Sequence, residues 1–248
     1  MKMKRKLLLL LAGLAALGCG TALAAEVDGH PDNFYKSDKV IVQNVDFNNQ
    51  YKMKVAGHLF TPKVKNANNG AAVIVGHPMG AVKEQSADLY ATKLAEQGFT
   101  TLSIDLSFWG GSEGQPRNAV SPDIYAEDFS AAVDYLGTSG LVDRERIGAL
   151  GICGSGSFAI STAKIDPRIK AVATVSMYDM GDANRNGLHN STTLAMRKQA
   201  MAEAAEQRYV EFTGGETKYT SGTVHELNEN STPCLLYTSP SPRDISGS

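Results

Sequence analysis

The chain has 248 residues, 42% of them hydrophobic and 20% charged, and its formal net charge is -2 at pH 7. These values are typical of one globular domain, and without a basic patch they argue against a nucleic-acid partner. The sequence shows no His, Cys and Asp spacing that makes a metal-ligand set and no phosphate-cradling glycine-rich loop. We therefore expect a small-molecule substrate, with no metal and no cofactor.

The first 24 residues have the three parts of a secretory signal peptide. A basic start precedes an apolar run over residues 7–17, and Ala22-Leu23-Ala24 supplies an Ala-x-Ala cleavage site. The run is too short for a comfortable membrane span, so we expect a periplasmic or secreted protein with no membrane span. A lipoprotein anchored through Cys19 is the alternative, although Ala16 is small where a lipobox usually has a large aliphatic residue.

The hydrophobic pattern from residue 40 onward predicts an α/β fold. Two apolar runs flank the turn-like Asn48-Asn49-Gln50 and predict an N-terminal antiparallel hairpin. Continuous apolar runs then alternate with helical patterns, which predicts a parallel sheet with helices on both faces. The expected strands cover residues 40–47, 53–60, 71–75, 99–106, 147–152 and 169–177, and the expected helices cover residues 88–97, 124–136 and 191–209, with another helix opening after residue 153.

Three loops follow strands of this expected sheet, at His77, Asp105 and Cys153. The carboxyl ends of parallel strands meet at one edge, and ligands of such folds bind beyond that edge. We therefore expect the functional site where these three loops come together.

Cys153 is the candidate nucleophile. It follows an apolar strand and precedes a helical pattern, with the small residues Gly151 and Ser155 two positions to either side. Such a sharp turn holds its central side chain in an exposed, strained position, and the helix dipole behind it favours a thiolate. Two alternatives stay open. Cys153 could be an inert buried cysteine, or Ser155 could be the nucleophile, although its place in the first helical turn suits a cap better.

The sequence GICGSG at 151–156, HPMG at 77–80 and the loop over 105–114 together resemble the α/β-hydrolase superfamily. The closest likeness is to exported bacterial hydrolases near dienelactone hydrolase and the X-Pro dipeptidyl-peptidase-like group, and it runs from about residue 40 to residue 181. It implies an α/β-hydrolase fold and a hydrolase that acts on ester, thioester or lactone bonds through an acyl-enzyme. The dienelactone hydrolase branch carries cysteine at the position of Cys153.

Two backbone amides are expected to form the oxyanion hole. One belongs to Gly154, the residue after the nucleophile, and the other to Met79, because Pro78 has no N–H to donate. The ring of His77 is expected to brace this loop and not to act as the base. Asp105 is expected to order the glycine-rich loop, with a substrate contact as the alternative, and Phe108 and Trp109 either line the acyl pocket or pack the loop.

The C-terminal part of the sequence departs from the superfamily pattern. The resemblance implies a catalytic acid and then a histidine after further strands, but residues 181–230 read as a lid or insertion, and residues 234–248 resemble a translated sequencing adapter. We therefore expect a truncated hydrolase domain over residues 25–233, without its C-terminal strands, and an artefactual tail. The hydrolase activity is expected of a full-length parent, and the chain as given is expected to be inactive as a hydrolase, although a Cys153 thiolate could still attack an activated ester slowly.

Two other functions stay open. One is an X-Pro-type peptidase, which would need an acidic pocket for a free amino terminus that the lid residues do not supply. The other is a non-catalytic binding protein on a hydrolase scaffold. The substrate and the oligomeric state are left open.

Overall fold

A computed structural model describes residues 35–64 and 68–219 of the chain. The expected signal peptide, the end of the expected lid and the expected artefactual tail lie outside these residues. The described strands form one mixed sheet in the order β1-β2-β4-β3-β5-β6. They are β1 (Val40–Asn48), β2 (Lys54–Pro62), β3 (Ala72–Gly76), β4 (Thr100–Ile104), β5 (Ile147–Ile152) and β6 (Ile169–Val175).

The pairing of these strands confirms the predicted hairpin and parallel sheet. β1 and β2 are antiparallel, in a register that pairs Val40 with Pro62 and Asn48 with Lys54. β2 is also antiparallel to β4, whereas β4, β3, β5 and β6 run parallel to one another. β4 is buried along its whole length, because a strand in the middle of such a sheet has both faces covered.

Five α-helices accompany the sheet in the described residues: α1 (Asp88–Glu96), α2 (Pro122–Thr138), α3 (Gly154–Ala163), α4 (Met180–Asn186) and α5 (Leu194–Phe212). Short helical turns cover Lys83–Ala87, Arg144–Arg146 and Leu188–Asn190. Apolar side chains of α2 and α3, among them Phe129 and Phe158, pack into the larger core cluster. Ala91 and Ala95 of α1 pack into a second cluster with Val75. Helices therefore cover both faces of the sheet, as the sequence predicts.

The two last elements that the structure describes carry much exposed surface. Five consecutive residues of β6, at positions 170–174, are exposed. α5 confirms the helix expected over residues 191–209, but it has no buried residue, and Phe212 at its end is 92% exposed. The role of this segment as a lid over the strand edge stays a prediction.

A buried polar network joins the β1–β2 hairpin to α2. The side-chain amide of Asn49 donates to Asp128 Oδ1 at 2.9 Å, and the backbone amide of Ser107 donates to Asp128 Oδ2 at 2.7 Å. The Ser107 hydroxyl donates to Oδ1 at 2.8 Å. Burial nevertheless raises the pKa of Asp128 from its ordinary 3.8 to about 6, because these neutral hydrogen bonds do not offset the lost hydration of the carboxylate.

This pKa predicts a pH dependence of stability. The folded pKa of Asp128 is raised, so its favourable contribution is complete below pH 3.8 and is lost as the pH rises through about 6. Two pKa units correspond to about 3 kcal/mol. We expect the free energy of unfolding of the unaltered protein, relative to that of Asp128→Asn, to fall by about this amount from pH 4 to pH 7. Urea denaturation at the two pH values measures it. A difference that stays constant with pH would contradict the prediction.

Candidate active site

The sheet register places the three loops singled out in the sequence at one edge. Gly76, the last residue of β3, pairs with Ile104 of β4 on one side and with Gly151 of β5 on the other. The residues that follow these strands are therefore neighbours in space. His77, Asp105 and Cys153 leave the sheet together, as the sequence indicates.

Cys153 stands at the sharp turn between β5 and α3. Its backbone has φ +54° and ψ -118°, a conformation that an L-residue rarely adopts and that costs about 1 to 3 kcal/mol. The turn is held by neighbouring backbone: the Cys153 amide donates to the carbonyl of Val175 at 2.9 Å, and the Gly156 amide donates to the carbonyl of Cys153 at 3.1 Å. Cys153 is half-buried, and it packs partly against the second core cluster.

The close approach of the strand and the helix explains the small residues around this turn. A Cβ atom on Gly151 would lie 2.3 Å from the carbonyl oxygen of Ser155 and 2.5 Å from the backbone of Gly156. No L-residue with a side chain fits there without moving the backbone. Glycine at position 151 is therefore a steric requirement of the turn.

Ser155 faces into the protein and not toward the edge of the sheet. Its side chain is fully buried, and its hydroxyl donates a hydrogen bond to the carbonyl of His77. A hydroxyl committed to a buried acceptor is not presented to a substrate. The geometry favours Cys153 over Ser155 as the nucleophile and gives Ser155 a bracing role.

The loop after β3 forms a β-turn with Met79 and Gly80 at its centre. The Ala81 amide donates to the carbonyl of Pro78 at 3.1 Å, and Gly80 has φ +76°, as a type II turn requires. This carbonyl also lies 2.7 Å from Nδ1 of His77. We refer to residues 77–83 as the oxyanion loop.

His77 is a buried, neutral brace for this loop. Its Nε2 accepts the Leu106 amide at 3.1 Å, so the ring proton is on Nδ1, which donates to the carbonyl of Pro78. Burial lowers the pKa of His77 below its ordinary value, although the charge of Asp105 acts in the opposite direction. With both ring nitrogens occupied, His77 has no free nitrogen to accept a proton from a substrate.

The bracing also sets the direction of the Met79 amide. In a trans peptide the carbonyl and the N–H of the next residue point in opposite directions. Two donors hold the Pro78 carbonyl, so they also fix the Met79 N–H, which has no acceptor among the described residues. A Cβ atom on Gly154 would lie 3.1 Å from Met79 Cβ and 3.4 Å from Met180 Sδ. The two residues expected to supply oxyanion donors are thus adjacent.

A buried ion pair holds the far end of the oxyanion loop. The Lys83 amide donates to Asp105 Oδ1 at 2.8 Å, and the Lys83 ammonium donates to Asp105 Oδ2 at 2.8 Å and also to Glu84. Burial acts to lower the pKa of Lys83, but the charges of Asp105 and Glu84 outweigh it and raise that pKa above its ordinary value. The ammonium is therefore charged inside the protein.

Asp105 also orders the glycine-rich loop. It is fully buried, and its Oδ2 accepts the Gly111 amide at 2.8 Å. A Cβ atom on Gly110 would lie only 2.3 Å from the same oxygen. The packed surroundings leave no room for a substrate at this carboxylate, so the structure supports the ordering role and not the substrate contact.

A family model described as the dienelactone hydrolase family matches residues 55–208. This range contains the oxyanion loop and the sharp turn at residues 151–156, which we call the elbow. The chain belongs to the dienelactone hydrolase family. Its fold is an α/β-hydrolase fold, because the crystal structure of the α/β hydrolase GrgF from Penicillium sp. sh18 superposes on it with a TM-score of 0.62 at 26% sequence identity, over 73% of this chain and 58% of that one. The crystal structure of the hypothetical protein PA2218 from Pseudomonas aeruginosa superposes on it with a TM-score of 0.73 at 40% sequence identity. That superposition covers 80% of this chain and 64% of the other.

Sequence comparison of this dienelactone hydrolase family member gives the same protein and further relatives. The uncharacterised protein PA2218 of Pseudomonas aeruginosa is 41% identical over 220 residues, which is 83% of this chain and 59% of that protein. The uncharacterised protein YcjY of Escherichia coli is 38% identical over 70% of this chain and 56% of its own length. Thiohydrolase aneE of Aspergillus aculeatus is 33% identical over 50% of this chain and 37% of its own length. The chain thus spans less than three fifths of these relatives.

Phe108 and Trp109, the two aromatic residues of the glycine-rich loop, make contacts that hold this loop in place in this family member. The Trp109 indole donates to the Tyr125 hydroxyl at 2.7 Å and to the carbonyl of Ala119 at 3.1 Å. Phe108 is buried in the main core, with φ +76°. Of the two sequence alternatives, the structure supports loop packing over an acyl pocket.

No set of three His, Cys, Asp or Glu side chains is arranged to hold a metal ion within residues 35–64 and 68–219. The same part of the chain holds no helix both long and apolar enough to cross a membrane. The resemblance also implies a catalytic acid and a histidine after further strands. Their positions stay a prediction.

Sequence reasoning missed Lys83, Met180 and the Asp128 network. Lys83 follows the HPMG loop with no pattern that marks it as buried, and its partner Asp105 is 22 residues away. Met180 comes close to Gly154 because the Ser157 hydroxyl accepts the Met180 amide at 3.3 Å. These contacts depend on how the strands are ordered in the sheet, which local periodicity does not encode.

Proposed function

We propose that this protein hydrolyses ester, thioester or lactone bonds through a covalent acyl-enzyme on Cys153. The observation that carries the proposal is the elbow itself: a strained, half-buried cysteine next to the adjacent residues Gly154 and Met79. Strain of this kind persists where the surrounding structure enforces it and is typical of functional sites. An inert buried cysteine needs no such backbone.

The acylation step follows from this arrangement. The Cys153 thiolate attacks the carbonyl carbon, a bond from sulfur to carbon forms, and the carbonyl electrons move onto oxygen. The amides of Gly154 and Met79 donate to that oxyanion. When the carbonyl re-forms, the bond to the alkoxide or thiolate leaving group breaks. The leaving group takes up one proton from solvent, which balances the proton that the Cys153 thiol released to solvent on forming the thiolate. The product is an acyl thioester on Cys153.

Deacylation consumes one water, whose oxygen attacks the acyl thioester and releases a carboxylic acid and the Cys153 thiol. A general base accelerates this step about a hundredfold to ten-thousandfold. His77 does not serve, because both of its ring nitrogens are hydrogen-bonded to backbone. In this proposal the general base is the histidine that the family resemblance implies, and its position stays a prediction.

The substrate class includes thioesters. A relative that matches half of this chain is named a thiohydrolase. The proposed chemistry suits thioesters and activated esters best, because a cysteine thiolate exchanges readily with a leaving group of similar or lower basicity.

The test is to incubate the protein with p-nitrophenyl acetate and map the acetyl group by mass spectrometry, with iodoacetamide alkylation as the parallel reaction. We expect a burst of one p-nitrophenolate per chain and an acetyl group on Cys153 that hydroxylamine removes. Alkylation of Cys153 without acylation would contradict the proposal and favour the non-catalytic binding protein. Acetylation confined to surface lysines would contradict it as well.

We also propose that the protein is exported through cleavage after Ala24. The support is the basic, apolar and Ala-x-Ala order of residues 1–24. N-terminal sequencing of the protein recovered from the periplasm or medium should begin at Ala25. Recovery with residues 1–24 intact in the cytosol would contradict export, and a lipid-modified Cys19 at the amino terminus would favour the lipoprotein instead.

A further inference from the structure

We propose that Lys83 is a positioning residue of the oxyanion hole, which it serves by anchoring the far end of the oxyanion loop. The inference rests on the proposed function, since it assigns a role in the same acylation step. It concerns the loop that carries Met79, whose two ends are held in different ways.

The near end of the loop is held by neutral hydrogen bonds. The His77 ring links the Leu106 amide to the Pro78 carbonyl, and the Ser155 hydroxyl donates to the His77 carbonyl. These contacts tie the loop to the end of β4 and to α3. The second donor to the Pro78 carbonyl is the Ala81 amide, which lies beyond Met79, so the direction of the Met79 N–H depends also on how the far part of the loop is held.

The far end is held by a buried carboxylate. Asp105 accepts both the backbone amide and the ammonium of Lys83, each at 2.8 Å. Lys83 is 5% exposed and Asp105 is fully buried. The two bonds to one carboxylate close a ring, so the ion pair fixes the main chain of the loop as well as the lysine side chain.

The energetic cost of burying the Lys83–Asp105 ion pair indicates that the pair fixes the loop geometry and adds little stability. A buried ion pair loses hydration on both partners, so well-packed apolar residues in its place often give an equally stable protein. The pair does hold the oxyanion loop and the glycine-rich loop in one arrangement, because Asp105 also accepts the Gly111 amide at 2.8 Å. Met79 lies between the two anchors, four residues before Lys83.

The test compares two reactions of the same thiol. Acylation by p-nitrophenyl acetate passes through an oxyanion, whereas alkylation by iodoacetamide does not. Loss of positioning lowers the ratio of the acylation rate to the alkylation rate. A general change in thiol access or reactivity changes both rates by the same factor. We expect Lys83→Met to lower the ratio by about tenfold to a hundredfold, since an error of about 1 Å in a catalytic group has effects of that size.

Lys93→Met is the matched control, because Lys93 is an exposed lysine of α1 whose side chain is 50% exposed. We expect its ratio to equal that of the unaltered protein. If Lys83→Met alone does not fold, Lys83→Met combined with Asp105→Asn removes both buried charges and allows the same comparison. We expect the double variant to show the lowered ratio too.

The outcomes separate the two proposals. An unaltered ratio in a folded Lys83 variant, or a parallel fall of both rates, overturns the positioning role and leaves the acyl-enzyme proposal standing. Alkylation of Cys153 with no acylation in the unaltered protein refutes the proposed function, and the role of Lys83 with it.

Discussion

Replacement of Cys153 by alanine is expected to abolish acylation by p-nitrophenyl acetate, with the burst rate reduced about a thousandfold or more. In this proposal the half-buried Cys153 carries the acyl group, and an alanine side chain cannot form the acyl bond. Stopped-flow detection of p-nitrophenolate measures the rate, and intact-protein mass spectrometry measures the adduct. Cys19 and Cys234 serve as comparison thiols wherever they remain in the chain.

Ser155→Ala is the matched control for this prediction. The Ser155 hydroxyl is buried and donates to the His77 carbonyl, so its removal is expected to cost about 1 to 3 kcal/mol of stability. The acetyl group should still form on Cys153. If Ser155→Ala abolishes the adduct in a folded protein while Cys153→Ala keeps it, the nucleophile is Ser155 and our assignment is wrong.

Replacement of Gly151 by alanine is expected to destabilise the protein by about 3 kcal/mol or more. The added Cβ would lie 2.3 Å from the Ser155 carbonyl oxygen and 2.5 Å from the Gly156 backbone. Backbone atoms of a helix cannot move aside as a flexible side chain can, so the first turn of α3 must shift away from β5. The Gly154 amide moves with that turn. We therefore expect the acylation burst to be lost together with stability.

Gly137→Ala provides the comparison within the same chain. Gly137 lies in α2, and the nearest atom to its added Cβ is a flexible Arg144 side-chain carbon at 3.6 Å. Alanine favours a helix over glycine by about 1 kcal/mol. Urea denaturation should show that Gly137→Ala is neutral or stabilising and that Gly151→Ala is strongly destabilising. Equal effects of the two substitutions would show that the contact at the elbow is not the cause.

The order of the strands could not be predicted from the sequence alone. Apolar runs and turn residues predict β3, β4 and β5 one by one, and the hairpin follows from its short turn. In the structure β4 lies between β2 and β3, so its two neighbours run in opposite directions. That order depends on long-range packing, and it is what brings Asp105 against Lys83.

The sequence by itself determined the strand–turn–helix at Cys153, because the small residues around it are a local steric requirement that sequence spacing records. It also determined the loop with Pro78 and Met79, since the missing N–H of proline is a covalent property. Only the tertiary structure showed that the Ser155 hydroxyl is buried and bonded to the His77 carbonyl, because burial depends on which side of the sheet α3 covers. Only the tertiary structure showed that His77 is neutral and that Lys83 is charged inside the protein. These two protonation states follow from burial and from partners distant in the sequence, and the local sequence pattern does not indicate either of them.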